Sequence, residues 1–398
     1  DVYKRQLYND RGFKTSGAFI PPNQLLRGGK GEVTIQIVEG RVEAIEVRGT
    51  RRLNPGYVRS RIALATGTPL NQNRLLEALR LLQLNPLIKN VSAELRSGSS
   101  LGTNLLVVTV DEANTFNVEF DLNNNRSPSV GTWRRQVQIS EGNLLGLGDG
   151  LSLSYSNTDG SNEINANYTL PINSRNGTIS FNYGFSKSNI IEEPFDELDI
   201  AARSSTYELT FRQPVIQTAN DKVTQELALG LTASRRESKT WLLNVPFALS
   251  PGADGRIRIS ALRFFQEWTS RRSREVFAAR SQFSFGVGAF DATTNESAPD
   301  SNFLAWRGQV QWVRVLARDT LFLLSGDVQL SDRSLLALEQ IGLGGQETIR
   351  GYRQDVLLTD NGALASAEFR FPIYRMPRQQ GLLQIIPFVD VGAGWNSG

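Results

Sequence analysis

The side chains that carry most acid–base, nucleophilic and metal chemistry are missing from this sequence. Among its 398 residues there is no cysteine and no histidine. Thiol nucleophiles, zinc fingers, disulfide frameworks and Ser-His or His-metal sites are therefore excluded. Paired carboxylates remain, but without a positioned third group they do not make a catalytic site. We therefore expect a protein that is not an enzyme and that needs no metal and no cofactor.

One arginine stands out because glycines frame it. Segment 342–352 reads Gly-Leu-Gly-Gly-Gln-Glu-Thr-Ile-Arg-Gly-Tyr, with Arg350 near its end. It is not a dinucleotide-binding loop, because that motif would need glycine at Glu347 and a strand–helix context. A glycine-rich surface loop is the simplest interpretation. The single arginine at the tip instead indicates a loop that folds inward, where a guanidinium keeps its charge and can hold a carboxylate through two parallel hydrogen bonds.

Asp390 is a carboxylate whose position in a predicted strand indicates which way its side chain points. In segment 386–392, Phe388, Asp390 and Gly392 alternate with apolar residues. Alternate side chains of a strand point to opposite faces. With the apolar set facing lipid, Asp390 points to the interior. The alternative for both Arg350 and Asp390 is an ordinary solvated charge.

Residues after about 113 read as strands. About thirteen segments of nine to fifteen residues alternate between apolar and polar side chains, separated by turns rich in Gly, Asn, Asp and Ser. A soluble β-sandwich would show the same period. A membrane barrel is favoured by segment length, since a tilted crossing needs about 9–11 residues. It is also favoured by full charges on the polar faces and by aromatic residues near segment ends.

The net charge and the charged clusters of the sequence do not identify a ligand. The formal net charge is +3, with 43 basic and 40 acidic residues, which predicts no nucleic-acid binding. No run of 18 uncharged apolar residues exists, which argues against membrane-spanning helices. The clusters Arg235-Arg236 and Arg271-Arg272-Arg274 could attract an anionic surface or an acidic substrate, but a solvated rim is the simpler interpretation.

Residues before about 113 follow a different pattern. Strands are predicted at 41–48, 88–96 and 104–110, and helices at about 55–66 and 71–83. The second helix carries leucines at three- and four-residue spacing, namely Leu75, Leu76, Leu79 and Leu82. The order strand, helix, helix, strand, strand predicts a small α+β domain whose helices cover one face of a sheet.

Four motifs resemble those of the outer-membrane translocators of two-partner secretion, the TpsB branch of the POTRA-plus-barrel superfamily. Segment 349–352 (Ile-Arg-Gly-Tyr) resembles the family's VRGY/F tetrad at the tip of a long inward-folded loop, and 388–392 (Phe-Val-Asp-Val-Gly) resembles its F-x-D-x-G strand motif. Segment 143–149 (Asn-Leu-Leu-Gly-Leu-Gly-Asp) resembles an early barrel turn. Segment 12–22 resembles the last half of the first POTRA domain, and 41–112 a complete second one.

The resemblance implies a mainly β fold in which a membrane β-barrel follows α+β POTRA domains. It divides the chain into the C-terminal part of a first POTRA domain at 1–40, a second POTRA domain at 41–112, and a barrel at 113–398. The long inward loop of that barrel covers about 332–360. Barrels of this family have sixteen strands, so with about thirteen segments we expect a partial sequence, truncated at both ends.

The resemblance also assigns roles to residues. It implies that Arg350 meets Asp390 and latches the loop to the barrel wall. The rest of this latch comes from the two motifs: Gly351, Tyr352, Phe388 and Gly392. We expect the POTRA domain to receive the client by strand addition at its sheet edge and in the groove beside the 71–83 helix, with Leu75, Leu79 and Leu82 as the helix residues involved.

The function implied is export of a large, unfolded partner protein of haemolysin or adhesin type from the periplasm to the cell surface. The expected location is the Gram-negative outer membrane, with the POTRA domains in the periplasm and a monomer as the functional unit. The expected partners are the secreted client and the lipid bilayer, with no nucleic acid. The alternative is a barrel-assembly or envelope-import relative of the same superfamily. A diffusion porin would lack POTRA domains.

Overall fold

The computed structural model of the chain describes residues 6, 8–22, 33–247, 255–297, 299–376 and 381–397. Of the predicted first POTRA part, residues 1–5, 7 and 23–32 therefore lie outside the described residues. What is described there includes a small antiparallel pair of strands, β1 (Gly17–Phe19) and β2 (Gln36–Val38). Within the described ranges, no helix is long and apolar enough to cross a membrane.

Residues 41–112 form a three-stranded sheet covered by two helices. The elements are β3 (Arg41–Arg48), α1 (Pro55–Ala63), α2 (Gln72–Gln83), β4 (Ile88–Ser97) and β5 (Thr103–Glu112). The sheet order is β3-β5-β4, with β3 parallel and β4 antiparallel to the central β5. This order of elements along the chain is the one predicted from the sequence.

Asparagine caps start both helices of this domain. The Asn54 side chain accepts from Gly56 N, with Pro55 at the first helical position, and the Asn71 side chain accepts from two amides of α2. Helix α1 ends at Ala63, three residues before the predicted end at 66. The following turn is tighter because the N–H groups of residues 65 and 66 donate to carbonyls three residues back.

The two helices and the sheet enclose one hydrophobic core. The central strand β5 contributes Leu106, Val108 and Val110, all almost fully buried. The helices contribute apolar residues at helical spacing, which are Val58, Ile62, Leu75 and Leu82. Because both helices bury one face against the same strand, the domain forms a single packed unit.

Residues from 116 onward form one large antiparallel sheet. Its strands and the two short strands of an inserted ribbon are β6 (Phe116–Asn123), β7 (Arg134–Glu141), β8 (Gly150–Asn157), β9 (Ser161–Pro171), β10 (Thr178–Asn189), β11 (Ala201–Ala219), β12 (Val223–Leu242), β13 (Val245–Pro246), β14 (Arg256–Arg272), β15 (Glu275–Val287), β16 (Leu304–Ala317), β17 (Thr320–Ser331), β18 (Ile341–Leu343), β19 (Leu357–Thr359), β20 (Asn361–Met376), β21 (Gly381–Ile385) and β22 (Phe388–Trp395). Two 3₁₀ turns lie in its loops, at Pro128–Val130 and Phe195–Leu198.

The strands of this sheet pair with their neighbours in chain order. From one edge to the other the order is β6, β7, β8, β9, β10, β11, β12, β14, β15, β16, β17 and β20, after which β21 and β22 both pair with β20. The strands β18 and β19 pair only with each other in the described residues. Because β21 and β22 follow one another along the same edge, the described sheet has thirteen long strands, as the sequence predicted.

The two faces of the large sheet differ in polarity. On β16, Arg307, Gln309 and Gln311 occupy one face, and the apolar residues alternate with them on the other. Leu209, Leu231 and Leu262 lie on that apolar face, on central strands, yet they are 53%, 48% and 45% exposed. A soluble sandwich would bury such residues. A barrel turns them to lipid, so the structure favours the barrel.

The connections between strands differ in length at the two ends of the sheet. One rim carries short turns and the other carries the long loops 190–200, 243–255, 288–303 and 332–360. The 41–112 domain lies against the short-turn rim. The hydrogen bonds that join them are Arg52 Nη2 to Asn143 O at 3.0 Å, Asn54 N to Gly146 O at 2.8 Å, Arg61 Nε to Asn176 Oδ1 at 2.8 Å, and Ala219 N to Glu77 Oε1 at 3.1 Å.

Glu112, the last residue of β5, fixes the loop that makes several of these contacts. Its Oε1 accepts the backbone N–H groups of Arg51, Arg52 and Leu53 at 2.6, 3.1 and 2.9 Å. Burial raises the pKa of Glu112, but these N–H groups outweigh burial and hold its pKa below the usual range. The ionised carboxylate therefore organises the junction between the domain and the sheet.

We expect this junction to loosen in acid. A carboxyl whose folded pKa is lowered contributes stability above its ordinary pKa of 4.5, and that stability is lost as the pH falls through the folded pKa. Hydrogen exchange should show the amides of 51–53 protected at pH 7 and unprotected in acid. Glu112→Gln should expose them at pH 7, whereas Glu94→Gln, on the neighbouring strand, should not. Equal protection in the two variants would contradict this role.

Candidate functional site

The loop 332–360 forms a compact structure at the long-loop rim. Its strands β18 and β19 pair antiparallel and frame a tip at 344–356. Gly344 has a φ of +109° and lies so close to Arg353 O that a Cβ would come within 2.3 Å of it. Thr348 Oγ1 accepts from Gly344 N at 2.9 Å. Glycine is needed here because the chain turns through a left-handed conformation without space for a side chain.

Arg350, at this tip, contacts the wall of the sheet. Its Nε donates to Asp390 Oδ2 at 2.8 Å and its Nη2 donates to Asp390 Oδ1 at 2.7 Å, which is a bidentate pair. Its backbone N also donates to Asp390 Oδ2, at 3.0 Å. The same guanidinium donates to Glu368 Oε2 at 2.6 Å and to Ser366 Oγ at 3.0 Å. We call this set of contacts the tip anchor.

The register of two strands brings the acceptors of the tip anchor together. Ser366 of β20 lies opposite Asp390 of β22, and Glu368 lies opposite Phe388. Because residues two apart share a face, all four side chains point to the polar side of the sheet. The Phe388 ring lies under the guanidinium, with 3.6 Å between Arg350 Cζ and the ring centroid. The Asp390 side chain is only 2% exposed, so its charge depends on Arg350 for compensation.

Three further residues of the predicted latch have different surroundings. Gly392 leaves space for Ile349, whose Cδ1 would lie 2.7 Å from a Cβ at that position. Gly351 has a φ of +93° with open space around it, so its conformation rather than crowding requires glycine. Tyr352 is 67% exposed, and its side chain is not part of the tip anchor.

The structure adds a second attachment of the same loop, which the sequence did not predict. Arg263 Nη2 of β14 donates to Glu339 Oε1 at 2.7 Å, and the two side chains are 7% and 6% exposed. Arg236 of β12 adds an ion pair to the same carboxylate at 3.5 Å and donates to Leu338 O at 3.1 Å. Arg236 is therefore not the solvated rim residue that its neighbourhood in the sequence suggested.

Apolar packing reinforces this attachment. Leu335 and Leu336 of the loop are almost fully buried against Ile257, Ile259 and Phe303. Ile257 and Ile259 share the sheet face of Arg263, so they are apolar residues on the face turned to the lumen. The loop covers them, which explains their presence there. We call these contacts, together with the ion pairs of Glu339, the base anchor.

One signal of the base anchor was present in the sequence. Arg263 falls on the inward parity of β14, where its neighbours on adjoining strands are Ser234 and Ser284, which accept from it at 3.2 and 2.9 Å. Hydroxyl groups cannot neutralise an inward arginine, so a carboxylate had to come from another segment. Nothing in the spacing of Glu339 identified it as that carboxylate.

The helix leucines named as client-binding residues are core residues in the structure. Leu75 is 8% and Leu82 is 3% exposed, and both belong to the core of the 41–112 domain. Leu79 packs partly buried against that core. Their side chains hold α2 on the sheet because leucine at helical spacing is first of all a packing pattern. Direct contact of these three leucines with a client is therefore not supported.

We expect Glu339→Ala to loosen the base of the loop. It leaves Arg263 buried without a counter-charge, and breaking a buried ion pair costs about 3 kcal/mol or more. Hydrogen exchange of the β18 amides should speed up by about a hundredfold. Glu347→Ala removes an exposed carboxylate of the same loop and is the matched control. If both variants exchange alike, the Glu339 ion pairs do not hold the loop.

Comparison with known proteins identifies relatives along nearly the whole chain. The profile of the family described as haemolysin secretion/activation protein ShlB/FhaC/HecB matches residues 102–398. The heme/hemopexin transporter protein HuxB of Haemophilus influenzae is 21% identical over 408 residues, covering 98% of this chain and 68% of that protein. The outer membrane transporter CdiB of Dickeya dadantii is 22% identical over 401 residues, with the same coverage.

Solved structures with the same fold agree with these relatives. CdiB from Escherichia coli superposes with a TM-score of 0.72 at 20% identity, covering 94% of this chain and 69% of that chain. BamA from Haemophilus ducreyi, in a form lacking POTRA domains 1–3, gives 0.59 at 15% identity, covering 99% and 80%. Because the family profile spans most of the chain, including both anchors, this chain belongs to the haemolysin secretion/activation family ShlB/FhaC/HecB and is an outer-membrane translocator of two-partner secretion.

Proposed function

We propose that this chain exports an unfolded partner protein to the cell surface through a lumen that the loop 332–360 closes at rest. The observation that carries the proposal is the tip anchor, in which one guanidinium is held by two carboxylates and a hydroxyl of the wall. Such a contact is strong in a confined space yet reversible, because water and a passing polypeptide can replace each hydrogen bond. The loop then acts as a plug that a client displaces.

We propose the domain division that the resemblance implied, with 1–40 as the end of a first POTRA domain, 41–112 as a second and 113–398 as the barrel. The support for the second is its own core and its strand, helix, helix, strand, strand order. Its position against the short-turn rim puts it on the side from which a client would arrive. In an outer membrane that side is the periplasm.

The client is received, in this proposal, at the exposed edge strand β4. Val91 N donates to Gln83 Oε1 at 3.0 Å, and Gln83 Nε2 donates to Lys89 O at 2.8 Å. The side-chain amide of Gln83 thus makes the two hydrogen bonds that a neighbouring strand would make at the start of this edge. Alternation leaves the N–H and C=O groups of Ala93 and Leu95 turned to the same open side. An extended client could continue the sheet there with little demand on its sequence.

Transport in this proposal uses no catalytic step. The sequence contains no cysteine and no histidine, and it carries no nucleotide-binding motif. Folding of the client outside the cell would give the movement its direction. A monomer is the proposed functional unit, since the loop and both of its anchors come from one chain. The barrel-assembly alternative shares the fold with BamA, and it would act on membrane proteins rather than on a secreted client.

We expect Arg350→Ala and Asp390→Ala each to reduce secretion of the client by about tenfold or more. Each variant leaves a confined charge unpaired, so the loop cannot return to its resting position on the wall after a client has passed. If the two side chains act as one unit, the double variant should be little worse than either single variant. Single-channel recordings should show larger and more frequent openings. The measurement is client on the cell surface relative to client in the periplasm.

The matched control is Arg353→Ala, which removes an arginine of the same loop whose ion pair is with Glu192 and not with the tip anchor. Heat-modifiable gel mobility should be normal in all variants, which shows that the barrel has assembled. Additive losses, or normal export by Arg350→Ala, would contradict the latch. Loss of other barrel proteins from the outer membrane, with the client unaffected, would favour the barrel-assembly alternative.

We expect Ala93→Pro to weaken client binding by about tenfold, since it removes one edge N–H and the ring obstructs the added strand. Proline is tolerated where the N–H faces solvent, so the domain should remain folded. Ala93→Ser keeps the N–H and serves as the control. The measurement is binding of the client's unfolded secretion domain to the full-length protein. Equal affinity of the two variants would rule out strand addition at β4.

A further inference from the structure

The short-turn rim carries a pocket lined by arginines on the outer face of the sheet. It has a volume of about 300 Å³, and its lining includes Arg272, Arg274, Glu275, Arg314 and Leu316. Arg272 lies opposite Glu275, which lies opposite Arg314, so one register row supplies three of these side chains. Arg272 has the opposite parity to Arg263, whose side chain meets the loop inside the barrel. The row therefore faces outward, toward the membrane.

Aromatic residues lie directly beside this row. Phe277 follows Glu275 by two residues and lies opposite Trp312, so this aromatic pair is on the same outer face as the row. Trp312 lies 5.8 Å from Phe322, and Phe322 lies 4.6 Å from Phe369, measured between ring centroids. Such a band marks the depth at which hydrocarbon gives way to headgroups. Relative to Phe277 and Trp312, the row lies two residues nearer the turns, on the side of the 41–112 domain, where headgroups follow such a band. Phe322 lies in the same register row as Arg314.

The charges of this pocket are only partly compensated. Arg272 Nη1 pairs with Glu275 Oε1 at 2.8 Å. Arg314 lies over the Trp312 ring, with 5.8 Å between its Cζ and the centroid. Among the described residues, no carboxylate lies within salt-bridge distance of Arg274 or Arg314. Three guanidinium groups therefore share one carboxylate, which leaves an excess of positive charge facing lipid.

We propose that this pocket binds the headgroup of an anionic phospholipid from the leaflet that faces the 41–112 domain. Arg274 and Arg314 donate to the phosphate, for which the planar guanidinium is well suited. Glu275 accepts from a headgroup hydroxyl such as those of glycerol. The aromatic band contacts the first part of the acyl chains. The inference does not depend on the proposed export function, because it concerns the outer surface of the barrel.

The experiment uses the full-length protein, delipidated in detergent and examined by native mass spectrometry. It is titrated with phosphatidylglycerol and with phosphatidylcholine of the same acyl chains. We expect the unsubstituted protein to retain one phosphatidylglycerol about tenfold more tightly than phosphatidylcholine. Arg274→Gln with Arg314→Gln should abolish this preference, because loss of a charge-assisted hydrogen bond costs about that much. Arg314→Gln alone, if the double variant does not assemble, should reduce it.

Arg318→Gln with Arg375→Gln is the matched control. It removes the same charge from the next turn of the same rim, where both arginines share Asp319. An equal loss in this control would overturn the proposal in favour of diffuse rim charge. Displacement of the lipid by millimolar inorganic phosphate would overturn it in favour of a free-anion site. Unchanged lipid preference with impaired export in the pocket variant would assign the arginines to an acidic segment of the client instead.

Discussion

The alternation of side chains between lipid and lumen along each strand governs the whole arrangement. Shifting one strand by a single residue would exchange its two faces, so the pairing register is fixed by the contrast between lipid on one face and the lumen on the other. That register sets Ser366 opposite Asp390 and thereby assembles the acceptors of Arg350. It also turns Arg263 inward, where it meets Glu339, and Arg314 outward, toward the proposed headgroup site. Three sites of different chemistry thus follow from one geometric rule.

Charge balance explains why the tip anchor contains more than one pair. Glu368 accepts from Arg350 at 2.6 Å and from Arg370 at 2.7 Å, while Asp390 is held by Arg350 and by Ser366 Oγ at 2.6 Å. Two arginines thus face two carboxylates, and no member is left as an isolated charge in a confined space. Removing any one member leaves another uncompensated, so the set responds as a unit.

The sequence predicted those features that depend on periodicity or on a compact motif. Strand alternation predicted thirteen strands, and the glycine-framed Arg350 lay in a motif whose position in the barrel the resemblance supplied. The base anchor could not be predicted, because Glu339 reaches Arg263 across 76 residues without a recognisable spacing. For the helix leucines the spacing was clear, but it does not assign them a role. Helical spacing identifies a buried face but does not distinguish burial against the domain's own core from burial against a client.

The two anchors differ in what can release them, and this difference gives the loop a direction of opening. At the tip, the contacts of Arg350 are charge-assisted hydrogen bonds and the Phe388 ring, and water or the amides of an unfolded chain can take over the hydrogen bonds one at a time. At the base, Leu335 and Leu336 are almost fully buried in an apolar cluster and the Arg263–Glu339 pair is buried as well, so releasing the base costs both apolar burial and an ion pair. An unfolded client supplies competitors for the first kind of contact but none for the second. In the export that we propose, the tip therefore leaves the wall first while the base stays attached, and the loop returns once the client has passed, because the segment that carries Arg350 remains tethered within reach of Asp390.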